Sequence, residues 1–223
     1  MPIPSRTILD QELNQLKDNI IRLASAANNS IEKAMNALQT RNVADAQSVI
    51  ANDESINQLR YTIEEQALLI LATQAPAASD LRAVIAAIHL AVELERIGDH
   101  SVGIARLVER MEDEEEIDTL HKLPKMARRA SEMVQQGIEA YINHDPQLAL
   151  NMIKRDDKLD RQYSRLFREA LEEMKDDTYI RRATFLLWAG HSLERIGDRA
   201  TNIAERVIFM CTGEFVETPT SLD

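Results

Sequence analysis

The 223-residue chain is predicted to be all-α: two tandem, internally duplicated three-helix bundles. Three observations predict this. The string Leu-Glu-Arg-Ile-Gly-Asp stands at 94–99 and again at 193–198, an offset of 99 residues. Apolar residues recur over long stretches in steps of three and four, the helical period. Turn-formers are scarce, with six Gly and six Pro, while the good helix formers Ala, Leu, Glu, Gln and Arg recur throughout.

The duplication extends beyond one string. At the same offset, Leu81-Arg82 matches Ile180-Arg181, Ile104-Ala105 matches Ile203-Ala204, and Val108 matches Val207. Upstream the offset is 103: Asp53-Glu-Ser-Ile-Asn57 aligns with Asp156-Asp-Lys-Leu-Asp160, and Ala46, Val49 and Ile50 align with Ala149, Met152 and Ile153. The offsets differ by four residues, about one helical turn. Loss of a turn between the second and third segments of the second copy accounts for the difference. The expected halves are 1–114 and 115–223.

Each half reads as three helices, over 7–40, 43–74 and 78–112, then 122–143, 146–175 and 178–211. Asn42 suits the N-cap of the second helix. Pro76 ends that helix, and Ser79-Asp80 is expected to cap the third. Asp145-Pro146 is a strong start signal, because Asp caps and Pro fits the first helical position. Gly213 closes the last helix. Between the halves, Glu112-Asp-Glu-Glu-Glu-Ile-Asp118 is dense in like charge and reads as a solvated helix end and linker. The tail after Gly213 is expected to fray.

The formal net charge is −11. So acidic a chain is a poor non-specific nucleic-acid binder, because that role needs Lys and Arg to neutralise phosphates. Aromatics at 4% leave few platforms for base stacking. The single cysteine, Cys211, has no intrachain disulfide partner, which agrees with a reducing cytoplasm. Met1–Arg6 does not read as a signal peptide, since no apolar run follows the charge. The most apolar segment, Leu81–Val92, is interrupted by Arg82 and His89 and is short against the roughly 20 residues that span a bilayer. The reading is a cytoplasmic protein with no direct membrane insertion.

The chemistry lies in acids that interrupt apolar stripes. On the third helix Leu81, Ile85, Ile88, Val92, Glu95, Asp99 and Val102 follow alternating steps of four and three, the stripe a bundle helix turns to its neighbours. On the last helix Ile180, Thr184, Leu187, His191, Glu194, Asp198 and Thr201 keep the same register. The fifth helix opens such a stripe with Asp156 and Asp160, ahead of Tyr163, Phe167, Ala170 and Met174. Its counterpart on the second helix is Asp53 and Asn57, continued by Arg60 and Glu64.

An i, i+4 pair stacks two side chains on one helix face. Two such helices facing each other gather up to four carboxyl groups. On a partly buried seam these must take up protons, pair with Arg, or bind a cation. Oxygen donors suit Mg, Ca or Mn, and carboxylates also accept iron or zinc. Arg82, Arg96, Arg181, Arg195 and Arg199 are near enough in sequence to form a salt-bridge network instead. Arg96 and Arg195 point about 100° from the neighbouring Glu and are expected to meet another helix. Gly98 and Gly197 stand mid-helix, where Gly costs about 1 kcal/mol relative to Ala; recurrence in both copies points to close helix approach beside the acids. Glu205 continues the last stripe and either extends the site or caps in solvent. His89 and His191 read as packed or half-exposed residues. No Glu-x-x-His pair, P-loop, dinucleotide fingerprint or zinc-finger spacing is present.

Glu194-Arg-Ile-Gly-Asp-Arg-Ala-Thr-Asn-Ile-Ala-Glu205, Glu95-Arg-Ile-Gly-Asp99, Ala78-Ser-Asp-Leu-Arg82 and the two Asp-centred pairs are similar to the signatures of the PhoU family, and the resemblance spans nearly the whole chain. It implies two tandem three-helix bundles and a regulator acting with the Pst phosphate importer (its ATPase subunit) and a PhoR-type sensor kinase. In high phosphate such a regulator helps keep the starvation response silent. It also implies a homodimer, and a multinuclear iron or zinc site built from carboxylates. By position the ligands would be Asp53, Glu95 and Asp99 in the first half, and Asp156, Asp160, Glu194 and Asp198 in the second. Asn57 replaces one carboxylate of the first site, and Gly103 and Arg106 stand where the second half has Asn202 and Glu205.

The expected function is thus a non-enzymatic adaptor, a negative regulator working by protein contact. The alternatives are a metal-dependent hydrolase or oxidase using the carboxylates, and a structural helical scaffold with salt-bridged acids.

Overall fold

A computed structural model describes residues 4–111, 120 and 122–216. The described residues form seven α-helices and one short 3-10 turn, with no strand among them. They are α1 (Pro4–Thr40), α2 (Val43–Gln74), α3 (Ser79–Arg110), α4 (Leu123–Asn143), α5 (Pro146–Ile153), α6 (Asp156–Glu173) and α7 (Ile180–Thr212), with the 3-10 turn at Asp177–Tyr179. The acidic run 112–118 and the 114/115 boundary lie outside the described residues.

The helix signals act as their chemistry requires. Asn42 accepts the backbone N–H of Asp45, and Asp145 accepts those of Gln147 and Leu148, filling donors a helix start leaves open. Gly213 takes the left-handed conformation (φ 80°) and donates its N–H to Phe209. The start of α3 departs from expectation: its cap is Ala78, with no side-chain bond, and Asp80 pairs with Arg6. The predicted helix over 146–175 is two helices. Arg155 N–H bonds back only three residues to Met152, and Lys158 N–H to Arg155. This tightening around Lys154 and Arg155 needs no Pro or Gly, so composition gave no signal of it.

α3 and α7 pack against each other and carry the two halves, α3 against α1 and α2, and α7 against α4, α5 and α6. α1 also touches α4. The fully buried Leu16, Ile20, Leu23, Ile31, Ile56, Ile63, Ile70, Leu90, Leu94, Ile97 and Ile104 lie in one continuous core. α3 and α7 run antiparallel: Arg82 reaches Met210, Glu93 reaches Arg199, and Arg181 reaches Arg110. The halves are therefore related by an approximate twofold through the α3–α7 crossing. No helix among the described residues is long and apolar enough to cross a membrane.

Candidate functional site

The acid-bearing stripes are not the core seam. Along α3 the buried residues include Val84, Ala87, Leu90, Ala91, Leu94, Ile97, Gly98 and Ser101, one position round from the expected stripe, whose own Val102 is also buried. Ile85, Ile88, Val92 and Glu95 are half-buried, and Leu81 and Asp99 are exposed. The stripe on α7 is likewise intermediate at Thr184, Leu187, Glu194 and Asp198. A helix packed on several sides carries apolar residues on its flanks as well as its seam, so the step pattern admitted both phases. The acids therefore sit at the rim of two helix–helix grooves, α2 with α3 and α6 with α7.

Close approach beside the acids holds in both halves. A Cβ on Gly197 would fall 2.4 Å from Leu159 Cδ2 and 3.0 Å from Asp156 Oδ1. On Gly98 it would fall 3.1 Å from Ile56 Cδ1 and 3.5 Å from Asp53 Oδ1. The missing side chains bring α6 onto α7 and α2 onto α3 where the carboxylates face one another.

In the second half all four acids act on each other. Burial, then the charges of Asp160 and Asp198, push Asp156 up to about 7, against the pull of the Thr201 hydroxyl, which donates to Asp156 Oδ2 at 3.2 Å. Burial, with Asp198 and Asp160, pushes Glu194 up to about 7. Asp198 is raised by burial and held back by Arg195. Contrary to the expectation from sequence, Arg195 reaches no neighbouring helix; it folds along α7 to bond Asp198 at 2.6 Å. His191 Nδ1 lies 3.2 Å from Glu194 Oε2, off the hydrogen-bond axis, which leaves that oxygen buried and unsatisfied. Asp156 Oδ1 is also buried without a hydrogen bond.

The first half is a weaker copy. Burial and Asp99 raise Asp53, opposed by the Asn57 amide (Nδ2 to Oδ2, 3.4 Å) and by Arg106. Burial and Asp99 raise Glu95, opposed by Arg60, whose Nε lies 3.4 Å away. Arg60 also bonds Glu64 at 2.7 Å. Arg60 and Arg106 thus oppose the negative charge here, as Arg195 and Arg199 do at Asp198 in the other half. Glu205 is half-buried on the α7 stripe, seven residues and about 10 Å beyond Asp198, so it lies outside the quartet.

Two features escaped the sequence reading. Glu93 and Arg199 pair across α3 and α7 at 3.4 Å, with side chains only 14% and 15% exposed. His100, at the position equivalent to Arg199, is lowered to about 4 by burial and by Arg199 and Arg195. The 99-residue offset marks positions 100 and 199 as repeat equivalents, but not the Glu93–Arg199 contact.

The donor set suits a cation: oxygen ligands, four of them buried without a hydrogen bond, Asp156 Oδ1 and Glu194 Oε2 in the second half and Asp53 Oδ1 and Asn57 Oδ1 in the first. As the side chains lie, however, no three His, Cys, Asp or Glu among the described residues converge closely enough to hold a metal ion. A multidentate site requires rotation of at least one acid.

The sequence profile of the PhoU domain matches residues 20–108 and 123–207. A Clostridium acetobutylicum protein described as "Phosphate-specific transport system accessory protein PhoU homolog" is 32% identical over 96% of this chain and 98% of its own length. A Pseudomonas aeruginosa protein of the same description is 35% identical over 91% of this chain and 84% of its own. The crystal structure of PhoU from Pseudomonas aeruginosa superposes with a TM-score of 0.87 at 34% identity, covering 92% of this chain and 99% of that one. The structure described as the phosphate transport system regulatory protein PhoU from Streptococcus pneumoniae gives 0.88 at 31% identity, covering 94% and 100%.

Proposed function

Because the chain belongs to the PhoU family, we propose that it is an accessory protein of a phosphate transport system that silences the phosphate-starvation response by coupling a Pst-type importer, through its ATPase subunit, to a PhoR-type sensor kinase. The carrying observation is likeness along nearly the full chain, both repeats included, to relatives described as phosphate-specific transport system accessory proteins. The chain acts by protein contact, as a homodimer in the cytoplasm, and without catalysis.

The carboxylate quartet is the site whose charge state such an adaptor would register. Asp156, Asp160, Glu194 and Asp198 would hold a cation, iron or zinc before Mg, Mn or Ca, and the ion would supply charge neutralisation. Its support is the pair of buried, unsatisfied oxygens, Asp156 Oδ1 and Glu194 Oε2. The first cluster, Asp53, Glu95 and Asp99 with Asn57, is the poorer ligand set because an amide replaces one of its four carboxylates.

The test is deletion of the gene in its host, with starvation genes monitored in high phosphate. Derepression is expected, together with co-purification of the kinase and the transporter ATPase on the tagged protein. Starvation genes that stay silent in the deletion strain would overturn the regulatory reading.

A further inference from the structure

The chain is acidic, yet one face is cationic. Lys158, Arg161, Arg165 and Arg168 follow steps of three, four and three along α6, and all are exposed. At 100° per residue they occupy a sector about 80° wide, roughly opposite the buried Leu159, Leu166 and Ala170. α4 runs antiparallel beside α6: Arg129 Nε donates to Gln162 Oε1 at 3.0 Å, Lys122 pairs with Glu169, and Arg155 lies 3.9 Å from Glu132. Lys125 shares the α4 stripe of Lys122, Arg129 and Glu132 and is exposed, as is Arg128 beside it. Among the described residues, Lys125, Arg128, Lys158, Arg161, Arg165 and Arg168 make no ion pair; Arg168 donates only to the Ser164 carbonyl. The exposed acids of the face are Asp157 and Glu172, at the two ends of the α6 stripe, and Glu132, beside Arg155.

We propose that this α4/α6 face docks the protein on an anionic phospholipid surface. Charge complementarity favours such a surface, and so does what the face lacks. A specific protein interface centres on buried aromatic or apolar anchors. Here the exposed Phe167 and Leu171 lie about 100° or more round the helix from the middle of the stripe. A flat field of long, solvated cations suits a diffuse anionic plane, where each Lys or Arg near the surface strengthens partitioning about fivefold. Asp156 and Asp160 sit about 120–160° from the stripe, so docking would hold the carboxylates away from the lipid. The transport role proposed above does not enter this argument.

The test is co-sedimentation of the full chain with vesicles of phosphatidylglycerol and phosphatidylcholine, against phosphatidylcholine alone, at low and high salt. Wild type is expected to sediment only with the anionic vesicles and to be released by salt. Arg161→Glu with Arg165→Glu should weaken partitioning at least about 25-fold. Arg22→Glu with Lys33→Glu changes the net charge equally on exposed residues of α1 and should retain wild-type binding within about twofold. Should the reversal disturb α6, judged by circular dichroism, Arg161→Gln with Arg165→Gln replaces it, again with the loss expected. Wild type that ignores anionic vesicles would overturn the proposal and leave the face to an acidic protein. Equal loss in both double variants would also overturn it, by reducing the effect to bulk charge.

Discussion

Arg82, in the first turn of α3, donates its Nε–H to the carbonyl of Met210 in the last turn of α7, at 3.1 Å. Its repeat partner Arg181 returns the contact, donating to the carbonyl of Arg110 at the end of α3, also at 3.1 Å. A cation at a helix C-terminus meets carbonyls that have no partner within the helix and the negative end of the dipole. Each half thus closes the terminal turn of the other.

Arg82→Ala should lower stability by about 1 kcal/mol, and Arg181→Ala by a similar amount. The sites lie at opposite ends of two long helices, so the double variant should show the sum within about 0.5 kcal/mol. Urea midpoints with an unchanged slope would check this. A double variant no weaker than either single would refute the independent clamps.

The raised acids predict a pH dependence of definite sign. Asp156 and Glu194 titrate near 7 in the fold, against roughly 4 in the unfolded chain. Between those values the native state binds more protons than the unfolded state, so these groups lower stability as pH rises from about 4 through 7. Asp156→Asn with Glu194→Gln should remove that slope, gaining on the order of 2 kcal/mol over wild type at pH 8 relative to pH 5, after allowance for coupling. Stability measured across pH for both proteins decides it; parallel curves would count against the buried quartet.

Divalent cations should stabilise the same site. With Zn, Fe(II) or Mn at about a hundredfold excess over its dissociation constant, the thermal midpoint of wild type is expected to rise by about 5–10 °C. Asp156→Asn with Glu194→Gln should abolish the rise, and Asp53→Asn with Glu95→Gln should remove less of it. No shift with any of these ions in wild type would sink the cation reading.

The two glycines should differ. Gly197→Ala drives a Cβ to 2.4 Å from Leu159 and 3.0 Å from Asp156, and overpacking of that kind costs about 1–3 kcal/mol. Gly98→Ala meets Ile56 at 3.1 and 3.3 Å and Asp53 Oδ1 at 3.5 Å, looser contacts throughout, and better helix propensity offsets much of the cost, about 1 kcal/mol. Thermal unfolding should therefore rank Gly197→Ala below Gly98→Ala by about 1 kcal/mol; the reverse order would show that the α6–α7 groove yields more readily than its packing indicates.

Most of the fold was legible, because its signals are local. Asn42, Asp145-Pro146 and Gly213 each act on backbone groups a few residues away, and the helix ends they mark hold. The break at Lys154–Arg155 was not legible, since two ordinary residues make it through slightly tighter turns. The site was legible in membership but not in depth. Spacing alone gathers Asp156, Asp160, Glu194 and Asp198, yet it cannot separate a seam from its flank when Ile85, Ile88 and Val92 are apolar and still half-exposed. The Thr201–Asp156 bond and the Glu93–Arg199 pair depend on how helices lie against each other, which the register of a single helix does not encode.

The antiparallel α3–α7 crossing has a mechanical consequence. Glu95 with Asp99, and Glu194 with Asp198, lie near the midpoints of two rods that share one crossing, with Glu93, His100 and Arg199 at the pivot. A slide or rotation of one rod against the other would shift the two acid groups relative to each other, and the ties of Arg82 and Arg181 at the rod ends would resist it.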